Sequence, residues 1–418
     1  MKKIKIVGGK TLTGTINISG AKNSAVALIP AAILSDEYVE IDNIPNISDI
    51  DALEEILIYL NADIKREDKK VTIDSSKIIN KEIPESISKK LRASYYFMSS
   101  LLGKYKYVEM FFPGGCSIGA RPIDQTLKGY RALGATVIEE GNKFTIKADE
   151  LIGNKIYLDM PSVGATVNII LTAVKAKGET IIENAAKEPE IVNVATFLNN
   201  MGAKISGAGT STIHITGVNY LGKCYNEVIP DRIEAGTYVI AGALVGKDLI
   251  VNNIIPEHID SLLKKLEEMG ADLIIGDNFV KISKLENGKP INVKTLGYPG
   301  FPTDLQQPLT SLLTQLNGES ILEETIYENR FQNVQYLVDM GANIKIDNRK
   351  IYVNGPTKLI AKDVVATDLR AGACLVLAGL VAEGQTIVSN VEHVLRGYEN
   401  IIGKLSNVGA EIEIEEYN

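Results

Sequence analysis

The sequence is poor in the residues that build disulfide frameworks and metal centres. Among its 418 residues are three cysteines and three histidines. The cysteines, Cys116, Cys224 and Cys374, are odd in number and widely spaced, so they predict neither disulfides nor a metal site. A reducing compartment, the cytoplasm, is the expected location. The histidines are scattered, and nothing in their positions favours pairing one with a cysteine.

Further absences narrow the class of protein. The sequence has no uncharged apolar run long enough to span a membrane, and its alternating start, MKKIKIVGGKTLTG, lacks the apolar core of a secretory signal. The motifs GxxxxGKS/T, GxGxxG after a strand and HExxH do not occur, so no nucleotide cofactor and no metal are expected. A net charge of −8 argues against a nucleic-acid-binding surface.

A short motif recurs six times along the chain. It reads LNADI, LGATV, MGAKI, MGADL, MGANI and VGAEI, and successive copies lie 73, 68, 68, 71 and 68 residues apart. Recurrence at a nearly fixed period indicates a repeated structural unit, and this period is long enough for each unit to be a small subdomain. The aligned positions are Asn61, Gly134, Gly202, Gly270, Gly341 and Gly409.

The residues around each motif predict the same α/β unit. An amphipathic helix precedes the motif, as in 259–271, and the glycine after it is typical of a C′ cap. A hairpin follows, as in 343–355, and then a short strand, a helix apolar on nearly all sides, as in 164–178, and another strand. Each unit therefore has two helices and about four strands.

The two ends of the chain complement each other. The sixth unit ends in EIEIEEYN without a second hairpin strand, and the N-terminal MKKIKIVGG matches the strand that is missing. We therefore expect the N-terminal strand to complete the last unit. Three units would form one lobe, residues 22–229, and three units a second lobe, residues 1–21 and 230–418.

Charged residues recur where the helices are expected to begin. Helix N-termini bind anions, so cations at these positions favour a site for anionic ligands. The alternative is structural, with each cation paired to Asp231, Asp304 or Asp368. Asp304 itself has two interpretations, a helix cap and a base for a hydroxyl group. The cations are Lys22, Arg92, Arg121, Arg330, Arg370 and Arg396.

The segment PGGCSIGARPID, residues 113–124, stands out from the repeats. Cys116 lies between pairs of conformationally free residues, and Arg121 follows five positions later. A nearby cation favours both a thiolate and an anionic ligand. A small buried hydrophobic residue in a glycine-rich turn is the alternative, but the glycines and the arginine together favour a reactive thiol.

With this segment, the motifs GAKNSA, KLRAS, SVGAT, PDRIEAGTY, FPTDLQQ, ENRF, ATDLRAG and RGYE resemble the enolpyruvyl transferase family, in its branch that uses UDP-N-acetylglucosamine. The resemblance runs end to end and implies a two-lobed inside-out α/β barrel. It also implies transfer of the enolpyruvyl group of phosphoenolpyruvate to the 3′-hydroxyl of UDP-N-acetylglucosamine with release of phosphate. That reaction is the first committed step of peptidoglycan synthesis, which serves cell-wall biogenesis, cell shape and cell division.

The resemblance also implies residue roles. Cys116 matches the general acid, the site of a covalent pyruvate adduct and the target of fosfomycin. Asp304 matches the carboxylate that faces the sugar hydroxyl, and Lys22, Arg121 and Arg396 match groups that hold phosphate and carboxylate. Arg330, Asp368 and Arg370 are further candidates for substrate binding. The sugar-nucleotide site would comprise Asn23, Arg92, Arg121, Pro122, Ile123, Asp124, Gln125, Ser162, Val163, Gly164 and Ile326.

Two departures and two alternatives accompany this assignment. Thr126 stands where relatives commonly have histidine, and Met160 where some have lysine. A sibling enzyme that acts on shikimate 3-phosphate shares the fold but lacks the PGGC segment. An inactive sugar-nucleotide-binding regulator would lack Cys116 or Asp304, and both are present.

Overall fold

The computed structural model describes residues 2–112 and 123–416. The predicted site residues Cys116, Arg121 and Pro122 lie outside the described residues. Contacts divide the described chain into two compact units. The central unit comprises residues 20–112 and 123–229, and the terminal unit comprises residues 2–19 and 230–416. Each unit has its own hydrophobic core.

The helices alternate with strands along both units. The α-helices are α1 Lys22–Ala31, α2 Ser48–Tyr59, α3 Glu85–Ser88, α4 Tyr96–Tyr105, α5 Asp124–Ala132, α6 Val163–Ala173, α7 Pro189–Asn200, α8 Arg232–Val245, α9 Asp260–Met269, α10 Gln306–Leu313, α11 Val334–Asp339, α12 Leu369–Val381, α13 Glu392–Leu395 and α14 Ile401–Ser406. Short 3₁₀ turns lie at Ala32–Leu34, Arg92–Tyr95, Pro256–Ile259 and Thr303–Leu305. Within the described chain, no helix combines the length and apolarity that membrane crossing requires.

The strands are short and follow the same repeat. They are β1 Lys2–Val7, β2 Thr15–Asn17, β3 Tyr38–Asp42, β4 Asp63–Glu67, β5 Lys70–Asp74, β6 Tyr107–Phe111, β7 Thr136–Glu140, β8 Lys143–Lys147, β9 Lys155–Tyr157, β10 Glu179–Glu183, β11 Lys204–Ser206, β12 Thr212–Thr216, β13 Cys224–Glu227, β14 Leu249–Asn252, β15 Leu273–Ile275, β16 Phe279–Ile282, β17 Asn292–Lys294, β18 Gly318–Glu323, β19 Asn343–Asp347, β20 Lys350–Gly355, β21 Asp363–Val365, β22 Gln385–Ser389 and β23 Glu411–Glu416.

The sheets confirm the repeated α/β unit. In the sheet β11-β12-β10-β9, β9 runs parallel to β10, and β10 and β11 both pair antiparallel with β12. Four other sheets of the described residues have the same four-strand plan. The sheet β6-β8-β7 has three strands, and Ile83 forms a parallel bridge to Met110.

Strands from distant parts of the chain complete three sheets. As predicted, β1 lies between β22 and β23, so that Ile4 pairs with Val388 on one side and Ile414 on the other. The strand β2 pairs with β14 in the terminal unit, while β13 pairs with β3 in the central unit. These parallel edge strands, β2 and β13, come shortly before the two points at which the chain passes from one unit to the other, after Ser19 and before Pro230.

The apolar helices form the centre of each unit, as their sequences predict. In the central unit, α4 contacts both α1 and α6. In the terminal unit, α8, α10 and α12 all contact one another. In α6 every residue from Ala165 to Ala173 is buried, because apolar or small side chains cover its whole circumference. The amphipathic helices bury one face only, as α9 does with Leu262, Leu263, Leu266 and Met269.

The six repeated motifs end these amphipathic helices as predicted. The five glycines have φ values from 94° to 106°, and Asn61 takes the equivalent position in the first unit with φ 69°. In this left-handed region a Cβ atom is disfavoured, and glycine and asparagine tolerate it best.

Gly270 offers a clean test of this backbone cost. Nothing lies within 4 Å of the position that a Cβ would occupy, so Gly270→Ala should cost only the conformational term, about 1 kcal/mol of unfolding free energy. Gly270→Asn should lose clearly less, because Asn61 already adopts this conformation. Urea unfolding of both variants measures the difference, and an alanine variant as stable as the wild type would contradict the explanation.

Candidate active site

The 3₁₀ turn Thr303–Leu305, directly before helix α10 in the terminal unit, carries Asp304 between two arginines. The Nη2 atom of Arg330 lies 2.7 Å from Asp304 Oδ1, and the Nη2 atom of Arg370 lies 3.0 Å from Asp304 Oδ2. The arginine side chains are 3% and 4% exposed, whereas that of Asp304 is 26% exposed. One edge of the carboxylate is therefore held by buried cations while part of the side chain reaches solvent.

The surroundings of the arginines keep both charged. Although burial opposes the charge, the Asp304 carboxylate raises the pKa of Arg330 above its ordinary value. The pKa of Arg370 is raised as well, because Tyr398 and Asp304 outweigh the effect of burial. The Arg330 guanidinium also lies over the Tyr327 ring, 5.2 Å from its centroid. Both arginines therefore form ion pairs with Asp304, and their contact with a substrate stays a prediction.

Helix capping in the terminal unit falls to other acidic residues. Asp368 caps α12 by accepting hydrogen bonds from the backbone N–H groups of Arg370 and Ala371, at 2.8 and 3.0 Å. Asp231 caps α8 in the same way. At the Thr303–Leu305 turn and at α10, the N-cap residues of the described chain are Pro302 and Leu305, and neither supplies a side-chain cap. Asp304 is thus held by ion pairs where the capping interpretation predicted an N-cap.

Two other predicted residues of the terminal unit lie outside helix starts. Ile326 follows β18 and is 40% exposed. Arg396 was expected near the start of an amphipathic helix, and that prediction is wrong. It is the C-cap of α13, and α14 begins only at Ile401, after Asn400, whose side chain caps it.

In the central unit, Lys22 is the first residue of α1, as predicted. Its Nζ lies 2.5 Å from Asp49 Oδ2, and the two side chains are 12% and 6% exposed. Sequence reasoning missed Asp49, because an aspartate in the first turn of an amphipathic helix is an ordinary feature of helix N-termini. Asn23 is the next residue of α1 and its side chain is exposed.

The starts of α4 and α6 also carry predicted residues. Arg92 opens the Arg92–Tyr95 turn, and its guanidinium lies 5.5 Å from the centroid of the Phe112 ring. Ser162 caps α6 through a hydrogen bond from the Ala165 N–H at 3.2 Å. A Cβ on Gly164 would lie 1.9 Å from the Tyr95 hydroxyl, so only glycine allows α6 to approach Tyr95 this closely. Val163 is the first residue of α6.

The start of α5 is tied to the loop before α6. Gln125 is 9% exposed, and its Nε2 donates to Asp159 Oδ2 at 2.9 Å and to Asp124 at 3.0 Å. The Asp159 N–H donates back to Gln125 Oε1 at 2.9 Å. Ile123 is the N-cap residue of α5. Of the two departures from the family pattern, Thr126 is buried and Met160 is 62% exposed.

The two described thiols lie in surroundings that disfavour the reactive thiolate form. Burial raises the pKa of Cys224 to about 12 and that of Cys374 to about 11. Cys374 lies in the buried helix α12, where its Sγ contacts Ser311 Oγ at 3.1 Å and Asn333 Nδ2 at 3.3 Å. In the described parts of the chain, no group of three or more His, Cys, Asp or Glu residues is arranged to hold a metal ion.

In the terminal unit, the buried carboxylate of Glu234 lies beside Ser19. Glu234 Oε2 accepts from the Ser19 N–H at 2.8 Å, and Oε1 accepts from Lys404 Nζ at 2.5 Å. Lys404 also donates to the Ser19 hydroxyl at 2.6 Å. Burial raises the pKa of Glu234 to about 7, in spite of the opposing charge of Lys404.

This raised pKa predicts that stability falls with pH. Below the ordinary value of 4.5 the carboxyl is protonated in both states, and between 4.5 and about 7 the folded chain retains a proton that the unfolded chain has released. The stabilisation, on the order of 3 kcal/mol at its upper limit, is lost as pH rises through this window. Urea unfolding at pH 5 and pH 8 should show a smaller pH dependence in Glu234→Gln than in the wild type. The exposed Glu257→Gln is the control, and equal slopes in all three proteins would contradict the assignment.

Comparison with known proteins identifies the family. A family model described as EPSP synthase (3-phosphoshikimate 1-carboxyvinyltransferase) matches residues 6–405. The chain belongs to this family of enolpyruvyl, or carboxyvinyl, transferases.

Curated relatives match over nearly the full length. The chain is 53% identical over 412 residues to UDP-N-acetylglucosamine 1-carboxyvinyltransferase 2 of Geobacillus kaustophilus, covering 99% of this chain and 96% of the relative. It is 51% identical over 413 residues to the protein of the same name from Bacillus subtilis, covering 99% and 96%.

Solved structures confirm the predicted enolpyruvyl transferase fold. The enolpyruvyl transferase NikO from Streptomyces tendae has a TM-score of 0.90 at 25% identity, over 100% of this chain and 99% of that one. EPSP synthase from Acinetobacter baumannii has a TM-score of 0.78 at 18% identity, over 100% of both chains, which shows the fold alone.

Proposed function

We propose that this protein transfers the enolpyruvyl group of phosphoenolpyruvate to the 3′-hydroxyl of UDP-N-acetylglucosamine and releases phosphate, the first committed step of peptidoglycan synthesis. The observation that carries the proposal is identity above 50% over nearly the whole chain to proteins named for this reaction. The sibling activity on shikimate 3-phosphate is not favoured, because these relatives carry the other name. The few, widely spaced cysteines support a cytoplasmic location.

Asp304 is proposed as the base for the sugar hydroxyl. Its ion pairs with Arg330 and Arg370 fix the orientation of the carboxylate. A carboxylate offers about four acceptor sites, so two ion pairs are compatible with a further hydrogen bond from a substrate hydroxyl. The partial exposure of the side chain supports access for that hydroxyl. Arg330 and Arg370, which are nearly buried, would then act on the substrate through Asp304.

Cys116 is proposed as the general acid that protonates the vinyl carbon of phosphoenolpyruvate. A neutral thiol can donate this proton, and the derived thiolate can add to the substrate to form a covalent adduct. When the phosphate group leaves, its charge needs cationic partners, a role proposed for Lys22, Arg121 and Arg396. The sugar nucleotide is proposed to contact Asn23, Arg92, the run 121–125, Ser162–Gly164 and Ile326, with Asp368 supporting Arg370 by capping α12.

Phosphate release tests the proposed reaction directly. The full-length protein is incubated with phosphoenolpyruvate and either UDP-N-acetylglucosamine or shikimate 3-phosphate, and inorganic phosphate is measured over time. We expect release with the sugar nucleotide and none above background with shikimate 3-phosphate. Release with shikimate 3-phosphate but not with UDP-N-acetylglucosamine would show that the protein has the sibling activity. No release with either acceptor would favour a binding protein.

A further inference from the structure

We propose that Glu324 is a positioning residue of the active site, which fixes the Arg330–Asp304 pair and the segment carrying Ile326 through one buried carboxylate. The inference deepens the proposed function and rests on it. Glu324 is 1% exposed and follows β18 directly. It belongs to no motif that the sequence singled out.

The Glu324 carboxylate accepts four hydrogen bonds. Its Oε1 accepts from the backbone N–H groups of Ile326 and Tyr327, at 2.8 and 3.1 Å, and from Thr295 Oγ1 at 3.0 Å. Its Oε2 accepts from Thr303 Oγ1 at 2.8 Å. Only an acceptor with two oxygens and no hydrogen of its own can satisfy four donors arranged in this way. A glutamine at this position would place an N–H donor against Thr303 Oγ1, so the Thr303 hydroxyl could no longer donate there.

Thr303 carries the effect of Glu324 to the proposed base. A threonine hydroxyl has one proton, and here it is donated to Glu324. The lone pairs of the same oxygen therefore face Arg330, whose Nη1 donates to Thr303 Oγ1 at 2.8 Å. The other terminal nitrogen of Arg330 holds Asp304 Oδ1. Glu324, Thr303, Arg330 and Asp304 thus form a continuous chain of hydrogen bonds.

The same carboxylate sets the backbone that presents Ile326. The two N–H groups bound to Glu324 Oε1 are those of Ile326 and the residue after it. The turn is further pinned because the Thr325 N–H donates to Thr295 Oγ1 at 2.8 Å. Ile326 itself remains 40% exposed. Its side chain is therefore available for ligand contact while its backbone is fixed to the group that orients Asp304.

A purely structural turn cap is the alternative to a positioning role. It would make Thr303 matter only for stability, since a cap acts on the fold and leaves the orientation of Arg330 unaffected. The positioning role instead requires the hydroxyl of Thr303 for turnover. Misplacement of a catalytic group by about 1 Å can cost roughly 10²-fold in rate.

A matched set of threonine variants separates these roles. Thr303→Val keeps the shape and removes the hydroxyl, and Thr303→Ser keeps the hydroxyl. Thr314→Val removes a buried threonine hydroxyl just beyond the opposite end of α10, where Thr314 donates to Ser311 O at 2.7 Å. Steady-state phosphate release is measured for each with phosphoenolpyruvate and UDP-N-acetylglucosamine, together with the melting temperature.

We expect Thr303→Val to lower kcat by roughly 10- to 100-fold with KM for the sugar nucleotide within about threefold of wild type. Thr303→Ser should restore kcat to within a few-fold, and Thr314→Val should leave it unchanged. Glu324→Gln should lower kcat and also raise KM for the sugar nucleotide, because it disturbs Ile326 as well.

Two results would overturn the proposal. One is a Thr303→Val protein that turns over at the wild-type rate, and the other is a loss of kcat in Thr303→Ser as large as in Thr303→Val. If Glu324→Gln does not fold, the threonine variants still decide the question. A wild-type protein that releases no phosphate would instead refute the proposed function, before any variant is compared.

Discussion

Fosfomycin is expected to alkylate Cys116 and to leave Cys224 and Cys374 unmodified. Reaction with an epoxide requires an accessible thiolate, and burial raises the pKa of the other two thiols to about 12 and about 11. The glycines around Cys116 and the cation of Arg121 instead favour an accessible thiolate at Cys116. Peptide mass mapping after inhibition locates the label. Label on Cys224 or Cys374, with Cys116 unmodified and activity lost, would show that the assignment of the thiol is wrong.

Two substitutions distinguish the acid from the nucleophile at this position. Cys116→Asp keeps a proton donor but removes the thiol, so it should retain part of the transfer activity and resist fosfomycin. Cys116→Ser leaves a much weaker acid and should lose turnover by roughly 10²-fold or more. Turnover is measured as phosphate release with and without the epoxide. A serine variant as active as the wild type would exclude Cys116 as the general acid.

Asp304→Asn is expected to lower turnover by roughly 10²- to 10⁴-fold while the protein remains folded. Asparagine keeps the size and one acceptor oxygen, but it cannot take the proton from a sugar hydroxyl. It also leaves Arg330 and Arg370 with a neutral partner, so the unfolding free energy should fall by about 1–3 kcal/mol. Phosphate release and urea unfolding measure the two effects separately.

Asp260→Asn is a suitable control for this change. Asp260 is exposed and begins α9 directly after a 3₁₀ turn, whereas Asp304 lies within the 3₁₀ turn that precedes α10, so both carboxylates stand where a 3₁₀ turn leads into an α-helix. It should leave both turnover and stability nearly unchanged. If Asp304→Asn turns over within a few-fold of the wild type, the carboxylate serves only the two arginines and another group is the base.

The repeated architecture could be predicted because its signals are local and recur six times. The glycine after each amphipathic helix marks a left-handed residue, and the apolar helices admit no exposed face, so neither feature needs tertiary information. The position of β1 was also predictable, since the last unit visibly lacked a strand. The pairings of β2 with β14 and of β13 with β3 were not, because strands of three or four residues carry almost no pattern.

The candidate site was predictable in its residues but not in its contacts. Helix starts showed where Lys22 and Asp304 lie along the chain, whereas their partners are set by packing. Asp49 is 27 positions from Lys22, and Glu324 is 21 positions from Thr303. Neither Asp49 nor Glu324 is an unusual residue type for its position in the sequence. Burial and the direction of the donors, which only the folded chain has, identify them.

The placement of β1 has a consequence for how the chain is made. Val7 pairs with Gln385 and Glu411, so this strand leaves the ribosome 378 and 404 positions ahead of its two partners. At about 5–20 residues per second this interval lasts roughly 20–80 s. Meanwhile the whole central unit, whose described strands all come from residues 20–229, has been synthesised. A nascent chain that stalls before Gln385 would expose an alternating apolar strand without its native partners. Chaperones and proteases that bind such strands would therefore recognise the incomplete chain.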